Sequence, residues 1–298
     1  MRYLLTLLLG VLFSWSLSAF ATTPVTSPAT SLKPLRVGSA GDYPPLTLQK
    51  PDGTWEGFAI DMARNLAKHL GRELELVKTS WPTLHADLSA GKFDLAMGGI
   101  SFTEGRSQQF LMSETVFEDG KVALTNCQLH PYLYFYSAAD LLTLLNQPLA
   151  CGSPLLMDTV LTPKQQYWMG VKCGGTKPPD NVPFEFLHPP VQVVENPGGT
   201  NELLAKQWLP KAAITIAHDN VEPFRTLVEL KAHVMITDRV EALYKSRVMP
   251  ELCVINPDAP FNRSPKVYMT RKESKALMQE VNEWLEQVDK ASIQSRWF

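Results

Sequence analysis

Two hydrophobic rhythms alternate along the chain. Leu35-Arg36-Val37-Gly38 has the period of a short strand, and Gly41-Asp42-Tyr43-Pro44-Pro45 cannot prolong it, because proline fixes φ and removes a ladder donor. Asp52-Gly53 marks a hairpin-type turn. Phe58, Met62 and Leu66 then recur at a spacing of four, flanked by Ala59, Ala63 and Leu70, which predicts an amphipathic helix stopped by Gly71. Glu73 to Val77 alternates like a strand. Pro82 to Ala90 reads as a helix with Leu84 and Leu88 inward, ended by Gly91, and Phe93 to Met97 as a strand closed by Gly98-Gly99.

A second series follows. Helices are predicted from Asn201 to Trp208, Val221 to Leu230 and Asp238 to Arg247, with strands at Ala213 to Ile216 and His233 to Thr237 between them. A last helix starts near Ser274, with Leu277, Val281, Leu285 and Val288 as its inner face. Strands alternating with helices imply parallel sheets covered on both faces, and two such series imply two α/β lobes. Ligands of open α/β sheets bind at the carboxyl ends of strands. Those ends carry Gly41-Asp42-Tyr43, Gly98 to Thr103, Asn196 to Asn201 and Thr237-Asp238, four polar segments that could converge in a cleft.

Composition narrows the class. The 298 residues are 45% hydrophobic and 19% charged, with 28 Lys and Arg against 30 Asp and Glu, a formal charge of −2. That is a globular composition, and it lacks the basic stripe of a nucleic-acid binder. Met1-Arg2-Tyr3, the apolar run from Leu4 to Phe13 and the Ala19-Phe20-Ala21 site form a secretory signal over residues 1–21, and the Thr/Ser/Pro-rich stretch 22–34 reads as a flexible tether. A membrane anchor is the lesser alternative, because Ser14, Ser16 and Ser18 interrupt the apolar run. Once exported and cleaved, the protein would be periplasmic and away from the membrane. Export permits disulfides, and Cys127, Cys151, Cys173 and Cys253 allow three pairings. No Cys or His spacing suggests a zinc site.

The run Gly98 to Arg106 is the first with chemistry in it. Ser101 and Thr103 offer hydroxyls, and Arg106 offers a planar fork for a carboxylate, although such a run is as readily a surface loop with a solvated Arg. With the upstream Phe93-Asp94 strand it resembles the solute-binding proteins of amino-acid importers, two-lobed with a hinge. That resemblance implies a periplasmic binding protein type II-like α/β fold, with mixed, mainly parallel sheets. Its lobes would run over 35–124 and 253–298 for the first and 125–252 for the second. Four further segments sharpen the likeness: Gly41-Asp42-Tyr43-Pro44-Pro45, Thr79-Ser80-Trp81-Pro82, Asn196-Pro197-Gly198-Gly199-Thr200-Asn201-Glu202, and Met235-Ile236-Thr237-Asp238-Arg239-Val240-Glu241-Ala242. Together they resemble the cyclohexadienyl dehydratases, exported prephenate/arogenate dehydratases built on that fold.

The resemblance implies a lyase that removes water and CO2 together, with one general acid, several anion holders, no metal and no organic cofactor. Glu241 matches the acid. Asp238 lies three residues before it, so both could face the cleft from the first turn of one helix. A helix N-terminus depresses a carboxylate pKa, so the acid needs burial or a dianionic neighbour to raise it. Without the resemblance, Glu241 would read as a surface carboxylate. Arg106 would hold the side-chain carboxylate, assisted by Ser101 and the backbone at Gly99. Thr200 and Asn201 open a helix whose N–H groups attract anions, with Asn201 orienting the substrate beside the acid; a turn plus N-cap accounts for the same residues without a ligand. Asn196 could reach the cleft from its strand end. Trp81 and Tyr43 would wall the diene ring, or be ordinary core. Asp42 and Asp238 are placed to hold an α-ammonium or to tune Glu241. Lys121 reads as solvated. The family pattern also pairs Cys127 with Cys253, near the expected lobe crossings, where the bridge could restrain lobe opening. Partners reduce to a small-molecule substrate, prephenate or arogenate, with a homo-oligomer left open. The other reading is an amino-acid receptor that feeds an importer.

One stretch departs from the pattern. Residues 149–190 hold seven prolines and two cysteines with weak periodicity, and read as an irregular surface excursion from the second lobe that Cys151–Cys173 could tie. A lid or partner surface is the functional alternative, and a passenger insertion without a role is the favoured one.

Overall fold

A computed structural model describes residues 32–298; the expected export signal, and the tether up to residue 31, lie outside the described residues. The strands in chain order are β1 (Leu35–Ser39), β2 (Asp42–Tyr43), β3 (Thr47–Gln49), β4 (Trp55–Glu56), β5 (Leu74–Lys78), β6 (Leu95–Ser101) and β7 (Phe110–Met112). They continue with β8 (Lys121–Asn126), β9 (Gln192–Glu195), β10 (Ala213–Ile216), β11 (Val234–Asp238), β12 (Leu252–Ile255) and β13 (Lys266–Arg271).

Two five-stranded sheets result, ordered β5-β1-β6-β13-β7 and β10-β9-β11-β8-β12, with a small sheet β2-β3-β4 beside them. In the first, β1 pairs in parallel with β5 and β6, while β13 pairs antiparallel with β6 and β7. In the second, β9 pairs in parallel with β10 and β11, while β8 pairs antiparallel with β11 and β12. Antiparallel pairing is therefore as common as parallel. Local strand–helix order reveals only the βαβ units, whereas β8 and β13 are the strands on which the chain enters a sheet after crossing over. The crossings also shift the expected lobe limits: β8 begins at Lys121 and β12 runs from Leu252 to Ile255, both in the second sheet.

Each sheet is covered on both faces. The helix Phe58–His69 buries Phe58, Met62 and Leu66 against the first sheet together with the helix Lys275–Gln287. Met278 and Trp284 are buried on that last helix beside Val281 and Leu285, while Leu277 and Val288 sit at its partly buried margin, so the inner face is rotated from the expected one. Leu84, Leu88 and Phe93 fill the opposite side. The second sheet has a corresponding pair of clusters around Val193, Val234 and Ile236 and around Val122, Phe224 and Met235.

The excursion 149–190 is ordered. It contains the helix Pro163–Cys173, opened by a Thr162/Gln165 capping box, and Cys151 is bridged to Cys173. Leu149, Leu155, Val160 and Leu161 join the second-lobe core, and Leu155 accepts a 2.6 Å hydrogen bond from buried His233 at the foot of β11. A passenger insertion would bury nothing of its host, so the favoured sequence reading fails here: this segment covers one face of the second sheet.

Cys127 is bridged to Cys253. The bridge joins the ends of adjacent strands, since Cys253 lies opposite Thr125 in the β8–β12 ladder. It therefore braces one sheet rather than spanning a lobe crossing.

Candidate active site

The cleft lies where strand ends of both sheets meet. It is lined by Tyr43, Trp81, Gly99, Ser101 and Arg106 from the first lobe and by Asn196, Gly199, Thr200, Asn201 and Asp238 from the second. β6 does not close at its glycines as expected but runs through them to Ser101. Gly99 has φ +84°, and a Cβ there would lie 2.5 Å from Tyr43 and Leu46, so only glycine lets the strand pass beneath the aromatic wall. Gly198 has φ +75° and a Cβ there would sit 2.9 Å from the Pro82 backbone, which is how the Asn196–Asn201 turn of one lobe closes on the Trp81-Pro82 turn of the other.

Thr103 caps the helix Glu104–Gln109, and the cap turns Arg106 inward: its guanidinium is buried and donates to the Ser101 carbonyl at 2.8 Å. Burial lowers its pKa, opposed only by Asp238. Among the described residues no carboxylate forms an ion pair with it, which leaves its remaining donors for a ligand anion.

Two lysines are placed by register, one from each sheet. In the antiparallel β8–β11 ladder Lys121 lies directly across from Asp238, and in the β6–β13 ladder Lys266 lies across from Ser101. Both lysines turn to Asp238 Oδ1, Lys121 Nζ at 2.8 Å and Lys266 Nζ at 2.5 Å, and Tyr43 donates its hydroxyl to Oδ2. Burial alone would raise the Asp238 pKa, but the two ammonium groups overcome it and hold the carboxylate ionised, well below the ordinary range. Burial also lowers the Lys121 pKa, with Asp238 opposing. The expectation of a solvated Lys121 is thus wrong: the residue is 0% exposed. The preceding Glu118-Asp119-Gly120 suggests a turn, but the residue is the first of an interior strand, and only the register reveals its partner.

Glu241 does not line the open cavity. It is 1% exposed on the first turn of the helix Arg239–Val248, one residue layer beneath the wall. A directed chain connects the two. Lys121 donates to Asn201 Oδ1, Asn201 Nδ2 donates to Thr237 Oγ1 at 3.1 Å, and Thr237 donates to Glu241 Oε2 at 2.6 Å. Because Thr237 spends its hydrogen on Oε2, a proton on Glu241 belongs on Oε1, which is buried without a partner. Burial raises the Glu241 pKa to about 8, against Lys245, Thr237 and Lys121 and with Asp238.

Asn201, expected to orient a substrate, has its amide engaged within the protein, since Nδ2 also donates to Asn196 Oδ1 at 3.1 Å. Asn196 in turn donates to Asn220 at 2.8 Å. Asp42, expected at the ligand, is half-buried outside the cavity lining, where burial raises its pKa and Asn220 opposes. Three buried groups have no place in the sequence reading. Lys266 stands beside Ser101. Lys245 lies 4.1 Å over the Phe224 ring. Glu195 accepts the Ile236 N–H at 2.7 Å, and burial holds its pKa well above the ordinary range. A charged residue at the end of a largely apolar strand, as in Gln192–Glu195 and Lys266–Arg271, is a signal for Glu195 and Lys266, whereas Lys245 lies on a helix and offers none.

Comparison with known proteins bears on this cleft. The profile of bacterial extracellular solute-binding proteins, family 3, matches residues 35–298. A cyclohexadienyl dehydratase of Pseudomonas aeruginosa is 32% identical over 87% of this chain and 79% of its own length. The L-cystine-binding protein TcyJ of Escherichia coli is 31% identical over 37% of this chain and 41% of its own. A crystal structure of an ancestral amino acid-binding protein, a precursor of cyclohexadienyl dehydratase, superposes with a TM-score of 0.68 at 28% identity, covering 89% of this chain and 95% of that one.

Proposed function

The chain belongs to the bacterial extracellular solute-binding proteins, family 3, and from that premise we propose that it is a periplasmic cyclohexadienyl dehydratase. It converts prephenate to phenylpyruvate, or arogenate to phenylalanine. The observation that carries this reading is Glu241: a carboxyl group with a pKa near 8, buried beside a cationic cleft, with its proton-bearing oxygen unpartnered. A receptor gains nothing from an acid so placed, and burial of an unpaired carboxyl costs stability.

The chemistry follows from the two walls. The ring hydroxyl is a poor leaving group until it is protonated. Glu241 lies just behind the cavity lining, so the step requires a shift at the start of its helix on substrate binding that brings Oε1 to that oxygen, which takes the proton and departs as water. The C–C bond to the ring carboxylate breaks at the same time, its electron pair completes the aromatic ring, and CO2 leaves. Glu241 is left ionised and regains a proton from solvent. Arg106 holds the side-chain carboxylate with Ser101 beside it, the ion-paired Lys121 and Lys266 set a positive field for the dianion, and Trp81 and Tyr43 flank the ring.

The second reading, an amino-acid receptor, draws support from the likeness to the ancestral amino acid-binding protein. One experiment separates the two: mature protein incubated with prephenate, with phenylpyruvate followed by absorbance. The lyase reading expects turnover in the native protein and its loss in Glu241→Gln with ligand binding retained. No turnover by native protein, or equal turnover by the variant, removes it.

A further inference from the structure

We infer that the cleft selects a substrate whose side-chain carboxylate adjoins a 2-oxo group over one in which it adjoins a 2-ammonium group, and that Lys266 sets this preference. The inference rests on the dehydratase reading of the same cleft and ranks its two substrates, prephenate carrying the oxo group and arogenate the ammonium.

An ammonium needs a carboxylate with a free lone pair. Among the residues lining the cavity, Asp238 is the one acidic side chain. Its Oδ1 is shared by Lys121 at 2.8 Å and Lys266 at 2.5 Å, and its Oδ2 takes the Tyr43 hydroxyl. Oδ1 is thus neutralised by two ammonium groups outside hydrogen-bond geometry and Oδ2 is taken by a donor of the protein itself, so a further ammonium at Oδ1 would meet two like charges. Asp42 is outside the lining, and Asp119, with a side chain 1% exposed, is packed 4.0 Å behind Lys266.

The surroundings of the carboxylate grip point the same way. A ligand carboxylate held by the Arg106 guanidinium has its α-carbon one bond away and its α-substituent beside Ser101 Oγ. That oxygen already accepts from Lys266 Nζ at 2.8 Å and from Ser264 Oγ at 3.0 Å, so its own hydrogen is left to donate outward. What the ligand meets there is a hydroxyl donor backed by an ammonium. An oxo oxygen accepts from it. A second ammonium meets a like charge in a desolvated site and finds no acceptor, and like-charge juxtaposition of this kind disfavours the wrong partner by about tenfold or more.

The test compares kcat/KM for prephenate and arogenate on the native protein, then on Lys266→Met. The native protein is expected to favour prephenate by about tenfold or more, and the variant to narrow that ratio by losing more prephenate activity than arogenate activity. A native ratio near one, or an unchanged ratio in a folded variant, overturns the inference. A binding measurement stands apart from folding of the variant and from catalysis: calorimetry of native protein with phenylpyruvate and with L-phenylalanine, which differ only at C2. Tighter phenylpyruvate supports the inference, and equal or tighter L-phenylalanine overturns it. If neither prephenate nor arogenate is consumed, the dehydratase reading fails and the calorimetric pair alone decides what the cleft selects.

Discussion

The two walls of the cleft handle charge in opposite ways. The first-lobe wall leaves a buried cation unpaired: Arg106 bonds a backbone carbonyl and no carboxylate. On the second-lobe wall Asp238 is met by Lys121 of its own sheet and by Lys266 of the other, and Glu241, three residues on, is kept neutral by burial. A buried ion without a partner costs several kcal/mol, so a fold retains one only where a ligand completes it. Arg106 of the first wall is thus left for a ligand anion, whereas Asp238 of the second is answered from both lobes without one. The same residue chemistry three positions apart on one helix start acquires two protonation states because lysines reach one carboxyl and only a threonine reaches the other.

That contrast can be broken most sharply at the acid. Glu241→Gln removes the proton while preserving shape, and prephenate turnover should fall by about 10²- to 10⁴-fold with binding intact. Arg106→Ala removes the unpaired cation; kcat/KM should fall by about 100-fold, mostly in KM, as expected for one charge-assisted contact. Lys121→Met acts on the second wall. It takes one of two cations from a buried carboxylate and the head from the Lys121–Asn201–Thr237 chain, so denaturant unfolding should show a loss of about 3 kcal/mol. Glu241→Gln should do the reverse in the ligand-free protein. The group is neutral in the fold and charges above pH 4.5 when unfolded, so native stability falls as pH rises from 4.5 towards 8. The Gln variant removes that slope and should be the more stable by on the order of 1–3 kcal/mol at pH 7. The smallest effect on the cleft is expected from Cys151→Ser with Cys173→Ser. The bridge closes a loop with a sequence separation of 22, so its loss should cost about 2–3 kcal/mol of second-lobe stability while prephenate kcat stays unchanged.

How far the sequence foretold this cleft depends on what each residue needs for its placement. Gly99, Ser101, Arg106 and the Asn196–Asn201 turn lie at strand ends and helix starts, which periodicity and glycine locate, and all reach the cavity. Lys121 and Lys266 owe their roles to ladder register between segments about a hundred residues or more apart, which no local pattern carries. The antiparallel pairing of β8 and β13 was hidden for the same reason. The excursion at 149–190 was misjudged because its apolar residues are spread among prolines without a period, yet its burial is set by contact with an existing sheet face. Asp42 shows the limit of motif reasoning: it sits beside Tyr43 in sequence, but strand alternation sends the two side chains apart.

The central claim is that Glu241 holds its proton at neutral pH. Difference infrared spectroscopy of native protein minus Glu241→Gln, titrated across pH, reports the protonated carboxyl band of that one residue. The account predicts that the band persists at pH 7 and disappears with a midpoint near pH 8. A midpoint near the ordinary value of 4.5 would contradict it, because the group could then no longer serve as a proton donor at neutral pH.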